Sequence, residues 1–400
     1  MVERGGGTGA GRLTGSAMLR AMARRLALVA ALALAAIPMA AGSADASTKA
    51  RFMTRNLYLG ADLTPGIQSK NLDELYVAAG KIYNQVKANK FGVRAKGLAA
   101  EIVKKDPHLV GLQESALWRT APCTSPSTQT NAFNYTKGLL GQLNKDKPRY
   151  HLAVSKQEFD FAYYADTDEN KETTGTGCPA ASGGDIIVRL TMRDVILAKN
   201  GVTTSHPKSG TFDTLLQVNV GGVKVNVIRG WTAVDAKIGT SKGFRFVNTH
   251  LEAFDNTAKN HTNKDTDVGN GRIRLAQAKE LFAPGGPAGP ALPRVILVGD
   301  LNSDKNTPQK PGDGLAHSAL LNNGFFERST SNPFGCCLNS ALLTVNGGGA
   351  VSDFDHKVDH IMSRPGDTIT LNSSAVTGRQ PVNGFWDSDH AGLFSSLNIP

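Results

Sequence analysis

Apolar positions along this chain recur with two different periods. Between Leu72 and Ala88, and between Gly92 and Lys105, they return every three or four residues. Leu75, Ile82 and Val86 share one face, and Val93, Leu98 and Ile102 share another. That spacing predicts two amphipathic helices, the second stopped by Pro107. Helical spacing also covers Asn131 to Asn144, Asn270 to Phe282 and Leu315 to Leu321. Elsewhere the apolar runs are short and rich in β-branched residues. They predict strands at 51–58, Leu109–Leu112, Ile186–Leu190, Val195–Ala198, Phe244–Leu251 and Val295–Val298, then Lys357–Met362, Ile369–Val376 and Gly392–Leu397. Thr211–Val220 and Val223–Arg229 alternate around Gly221-Gly222, which predicts a hairpin. Residues 115–135 and 253–270 read as polar loops, 325–356 as a loop region, and Gly285–Pro293 as a Pro/Gly connection. No repeat and no domain-scale linker is visible. Strands with helices between them, interrupted by hairpins, predict a single α/β domain with mixed sheets.

The first 46 residues do not fit this pattern. Arg20, Arg24 and Arg25 precede an apolar run from Leu26 to Ala41, and Ala44-Asp45-Ala46 follows. This is the layout of a signal peptide, cleaved to leave a secreted protein starting near Ser47; an uncleaved anchor is the other reading. Removing residues 1–46 takes away five Arg and two acids, so the formal net charge falls from +10 to +7. A basic protein suits an anionic substrate such as nucleic acid or anionic lipid. No Lys/Arg-rich run with interleaved aromatics marks a dedicated nucleic-acid arm. Four cysteines in an exported chain suggest disulfides. Cys123 and Cys178 lie in polar loops and are the expected bridge, leaving Cys336-Cys337 as a vicinal pair unless the pairing crosses over. Their spacing matches no zinc pattern.

The candidate chemistry sits in short polar clusters, most of them abutting a predicted strand. They are Arg55-Asn56-Leu57, Gln113-Glu114-Ser115, Asn248-Thr249-His250-Leu251, Gly299-Asp300-Leu301-Asn302-Ser303, Val358-Asp359-His360-Ile361 and Ser388-Asp389-His390. Strand ends are rigid, and several meeting on one rim can make a site. The set Asn56, Glu114, His250, Asp300, Asn302, Asp359, Asp389 and His390 can hold a hard divalent cation on oxygens and supply imidazole for phosphate chemistry. Each member also has an ordinary role: Glu114 a surface acid, His250 a hydrogen-bonded core histidine, Asp300 and Asn302 an Asx turn.

In this order the clusters resemble the endonuclease/exonuclease/phosphatase superfamily, over essentially the whole chain from Arg51 onward. The resemblance implies a four-layer α/β sandwich: two mixed β-sheets packed face to face with flanking helices. It implies a catalytic domain over 47–400 that hydrolyses phosphoester P–O bonds with Mg²⁺, Mn²⁺ or Ca²⁺ being alternatives. Glu114 would be the main metal ligand, with Asn56 and Asp389 beside the metal. Asp300 would orient or deprotonate the attacking water, and Asn302 would hold a phosphate oxygen. His390 would stabilise the transition state, oriented by Asp359, and His250 would act as acid to the leaving oxygen. Arg272 and Gln277 resemble structural supports.

The chain departs from the family in places. Tyr58 stands where many relatives carry an acid, and Arg189 where a small residue is common; Arg189 could contact phosphate or pair with an acid. His356 and His360 are extra ligands or, more simply, exposed histidines. The substrate is a phosphoester, nucleic acid or phospholipid, in a monomer with no stable protein partner. A nuclease-like phosphodiesterase or phosphatase is favoured. A sphingomyelinase-like phospholipase C, for which Trp231 and Phe334 offer loop aromatics, and a non-catalytic phosphate- or glycan-binding module are the alternatives.

Overall fold

The central strands of this chain are apolar on both faces because both faces are covered. Ala50 and Phe52 point into one core while their neighbour Met53 points into another; Ile196 and Ala198 alternate in the same way with Val195 and Leu197. Ile296 and Val298 alternate with Val295 and Leu297. Period-2 alternation thus distributes one run between two cores. The computed structural model describes residues 47–123, 125–169, 185–254, 271–330 and 332–400. The signal segment 1–46, Cys178 and most of the loop expected at 253–270 lie outside them.

The first sheet is eight-stranded. Its order is Thr370–Thr377, Gly392–Ile399, Thr48–Asn56, Leu109–Gln113, Asp185–Lys199, Leu117–Pro122 and Thr130–Asn134, with Tyr150–Asp166 also paired to Asp185–Lys199. The second is six-stranded: Phe326–Glu327, Asp359–Arg364, Val295–Asp300, Phe244–His250, Gly230–Lys237 and Thr203–Thr211. Each sheet is mixed, with one parallel pair: Thr48–Asn56 beside Leu109–Gln113, and Phe244–His250 beside Val295–Asp300. Between the sheets Phe52 stacks on Phe246 at 5.7 Å and meets Phe244 edge-on at 5.5 Å. Helices Leu72–Ala88, Phe91–Lys105 and Tyr135–Leu143 cover the outside of the first sheet through Ile82, Val86, Leu98, Ile102 and Leu139. Helices Arg272–Phe282 and Leu315–Asn322 cover the second through Ala278, Leu281, Ala316 and Leu320. The fold is therefore the expected four-layer α/β sandwich.

Local signals set the helix starts. Asn71 accepts from Glu74 N at 2.8 Å and Asn134 accepts from Lys137 N at 3.1 Å, both as N-caps. The Asn134 cap delays to Tyr135 the helix expected from Asn131. Residues 115–135 are not mostly loop: Leu117–Pro122 and Thr130–Asn134 form an edge hairpin. The two strands expected at 186–190 and 195–198 are one, Asp185–Lys199, because the intervening polar residues continue the same ladder. The hairpin around Gly221-Gly222 is present as a separate two-stranded ribbon, Leu216–Val220 with Val223–Val227. Trp231 lies within a strand, not on a loop.

A polar clamp ties the two sheets together near one end. Asn248, wholly buried, donates to Leu112 O at 3.1 Å and Val195 O at 3.3 Å, and accepts from Gln113 Nε2 at 2.5 Å. Gly111 makes room for it: a Cβ there would stand 2.5 Å from Asn248 Oδ1.

Candidate active site

Register brings the second sheet's site residues into one row. His250 is opposite Asp300 in the parallel pair, and Asp300 is opposite Asp359 in the antiparallel pair. In the first sheet Asn56 is level with Gln113, which places Glu114 one step past the strand end. Gly299 lets the Asp300 strand run close to its neighbour. Its φ is +147°, and a Cβ would stand 2.0 Å from Thr249 O. Ser388 fastens the His390 segment to the first strand by donating to Asn56 O at 2.8 Å and accepting from His390 N at 3.2 Å.

Glu114, His250, Asp300, Asn302, Asp389 and His390 all line one cavity of about 450 Å³. Glu114 and His390, 276 positions apart in sequence, are thus on the same side of the molecule. Asp359 stands behind His390, its Oδ2 2.8 Å from Nδ1. The other face of that ring puts Nε2 3.7 Å from Asp300 Oδ2. Asn56 stands behind Asp300, donating from Nδ2 to Asp300 Oδ2 at 3.1 Å. Its amide oxygen accepts from Tyr58 N at 2.9 Å. The structure therefore places Asn56 as a positioning residue for Asp300 and does not bring it to the cavity surface, where a metal ligand was expected.

Asn302 does not share a strand face with Asp300. The strand stops at Asp300, Asn302 takes φ +47°, and its N–H donates to Asp300 Oδ1 at 2.9 Å. This is the Asx turn expected as the pair's ordinary role, and it brings Asn302 to the cavity. Its Nδ2 donates to Leu251 O at 2.9 Å.

The electrostatics follow from crowding acids in a buried place. Burial, then repulsion from Asp389, push Glu114 up to about 7 against the pull of Leu59 N–H, which donates to its Oε2 at 2.7 Å. Burial likewise raises Asp389. Burial opposes protonation of His390, yet the carboxylates of Asp359, Asp389 and Asp300 overcome it and hold its pKa well above the usual range. His250 goes the other way: burial and the adjacent Arg229 push it down to about 3. Arg229 Nη1 lies 3.1 Å from His250 Nδ1. A guanidinium only donates, so Nδ1 accepts and the His250 proton sits on Nε2, 3.5 Å from Asp300 Oδ2.

Sequence reasoning missed Arg229. It follows the two-stranded ribbon, and nothing in its neighbours marks it; folded, it is buried, lines the cavity, and has Glu252 at 3.6 Å. Arg94 was missed too. Fully buried, it donates to Leu57 O at 2.8 Å, Asp387 O at 2.9 Å and Tyr58 O at 3.2 Å, gathering the loops that carry the site. Tyr58 lines the cavity and donates to Ala341 O at 2.8 Å.

Other expectations resolve into supports. Arg189 pairs with Asp160, 2.9 Å from Nε to Oδ1. His360 is buried, not exposed: Nδ1 meets Glu327 Oε2 at 2.5 Å and Nε2 meets Ser303 O at 2.9 Å, so both nitrogens are engaged. His317 joins this group through Asp304 at 2.8 Å. His356 pairs with Asp355 at 2.6 Å. Gln277 supports the backbone, accepting from Glu252 N at 2.9 Å and donating to Thr214 O at 3.0 Å. Cys336 and Cys337 stand beside His390, with Cys337 Sγ 3.5 Å from His390 Nε2.

No protein-family model matches the sequence, and no curated protein matches it. Solved structures do align. A mannosyl-6-phosphatase from Bacteroides thetaiotaomicron is 14% identical, covering 87% of this chain and 99% of its own at a TM-score of 0.46. An endonuclease/exonuclease/phosphatase from Beutenbergia cavernae is 15% identical, covering 88% and 72% at 0.46. Truncated TDP2 from Caenorhabditis elegans is 15% identical, covering 88% and 98% at 0.42. The proteins to which this chain is similar are thus endonuclease/exonuclease/phosphatase proteins and TDP2.

Proposed function

We propose that residues 47–400 form a secreted, divalent-metal-dependent phosphoesterase of the endonuclease/exonuclease/phosphatase type, a phosphodiesterase or phosphatase. The observation that carries this reading is the Asp359–His390 pair facing Asp300 across a cavity that also holds Glu114 and Asp389. The donor set fits a hard cation. Buried oxygens of Glu114 and Asp389 repel one another, and a divalent ion between such groups relieves what burial imposes. A bound cation would polarise the phosphate and lower the pKa of a water.

The chain's own residues do the rest. Asp300, held by Asn56 Nδ2 and Asn302 N–H, presents a carboxylate that accepts a proton from the attacking water. His390, protonated and oriented by Asp359, donates from Nε2 to a non-bridging phosphate oxygen as charge builds there. Water attacks phosphorus in line and the ester P–O bond breaks. His250, neutral with its proton on Nε2, donates a hydrogen bond to the leaving oxygen rather than serving as a charged acid, and the alkoxide or phenoxide takes up a proton from solvent as it departs. Arg229 fixes that tautomer.

One assay tests the reading. The protein is mixed with plasmid DNA, sphingomyelin vesicles and p-nitrophenyl phosphodiesters, each with Mg²⁺ and with chelator. Metal-dependent turnover is expected. DNA cleavage alone identifies a nuclease, vesicle cleavage a phospholipase C. Silence on all substrates with Mg²⁺, Mn²⁺ and Ca²⁺ leaves a phosphate- or glycan-binding module. Protein recovered from culture medium should begin near Ser47 on N-terminal sequencing.

A further inference from the structure

The cavity is polar over only part of its lining. Beside the acids and histidines it is bounded by Leu63, Ile67, Phe159 and Val220. The same four residues line a second, smaller cavity of about 90 Å³, completed by Ala79, Ile82, Phe161 and Leu190 among others. Among the described residues no charged side chain lines this second cavity. Its polar tips are already spent: Trp118 Nε1 donates to Leu59 O at 2.8 Å and Tyr163 OH to Leu72 O at 3.4 Å. An apolar group entering it would lose no hydrogen bond and would displace water from an apolar wall.

Resting on the phosphoesterase reading, we propose that this annex receives an apolar ester group of the scissile phosphate, so that the preferred substrates are amphipathic phosphoesters carrying a short alkyl chain or one aromatic ring. A phosphate held between His390 and Asn302 is repelled by the carboxylates on one side, and the residues that border both cavities, Leu63, Ile67, Phe159 and Val220, offer its substituent an uncharged wall. A water needs on the order of 10–15 Å³ of such space, so the annex takes about six water-sized groups. That matches a butyl to hexyl chain. An extended polyanion is poorly served. Arg229 is the only Lys or Arg on the described lining of the main cavity, and it is committed to His250 and Glu252.

The test is a series of p-nitrophenyl alkyl phosphates, methyl to octyl, kept below their micelle concentrations. For the folded wild type, kcat/KM should rise about fourfold per methylene. It should level off near six carbons. Ala79→Phe, which fills the annex from its helix, should flatten the series while leaving the methyl ester's rate within about twofold. Phe161→Ala, which enlarges the annex, should move the plateau to longer chains, so a misfolded plug does not decide the matter. Equal kcat/KM for methyl and hexyl esters in the wild type overturns the proposal while leaving the phosphoesterase reading standing. If no ester turns over, that reading fails. The annex is then judged by calorimetry of hexylphosphonate against methylphosphonate, where equal affinities overturn it.

Discussion

Replacing Asp359 by Asn isolates one charge. Asp359 Oδ2 accepts from His390 Nδ1 at 2.8 Å, while its buried Oδ1 has no hydrogen-bond partner among the described residues. An amide fits this arrangement: its oxygen takes the place of Oδ2 and its NH₂ takes the place of the unpartnered Oδ1. Shape and a neutral hydrogen bond are kept, and the carboxylate charge behind the imidazole is lost. Hydrogen bonds to charged groups contribute about 1.5–3 kcal/mol, against about 1 kcal/mol for neutral ones. If that difference, about 0.5–2 kcal/mol, belongs to the transition state, where His390 meets the most negative charge, kcat falls by about 2- to 30-fold with KM little changed. The loss stays below that of removing the imidazole, because Asp300 and Asp389 still act on His390. Steady-state rates on a p-nitrophenyl phosphodiester at saturating Mg²⁺ measure it, with thermal melts confirming the fold. A kcat indistinguishable from wild type, at an unchanged melting temperature, would refute the role assigned to the pair.

Other substitutions probe the remaining parts. His390→Ala and Asp300→Ala should each lower kcat by about a hundredfold or more with the fold retained; near-wild-type rates in both would remove the assigned roles. Glu114→Gln should raise the Mg²⁺ concentration for half-maximal activity at least tenfold in a metal titration, and an unchanged titration would place the cation elsewhere. Gly299→Ala should cost about 1–3 kcal/mol in urea melts and most of the activity, since a Cβ there meets Thr249 O at 2.0 Å. Gly285→Ala, with nothing within 4 Å of the added carbon, is the control with only a conformational cost. His250 is held down to about 3 from its ordinary 6.5, so the unfolded chain binds its proton first on acidification. Its contribution to stability is full above pH 6.5 and is lost as pH falls towards 3, so His250→Gln should flatten the decline in melting temperature between pH 7 and 5. A slope identical to wild type would contradict a buried, neutral imidazole.

The site was legible where chemistry sits at strand ends. His250, Asp300 and Asp359 each close or open an apolar run, and register then aligns them. Asn302 reaches the cavity through the Asx turn named as its ordinary role, so the turn and the site are one feature. Arg229 carried no signal, since its burial comes from long-range packing just past the end of a half-buried ribbon. The Tyr150–Asp166 strand escaped notice because register shifts between Leu152 and Val154 and between Gln157 and Asp160 reset its alternation. The edge hairpin at 117–134 is short and Thr- and Asn-rich, so composition alone reads it as a loop.

The buried Asn248 clamp has a consequence for how the site can change. Glu114 belongs to one sheet and Asp300 to the other, so the gap between them is gauged by a bond inside the protein, just behind the reacting atoms. Neither sheet can slide to suit a bulkier phosphate without leaving Asn248 and Gln113 stranded in a dry interior. Diversification of substrate is therefore channelled into the walls, through residues such as Ile67, Phe159 and Ser340, while the spacing of the machinery stays constant.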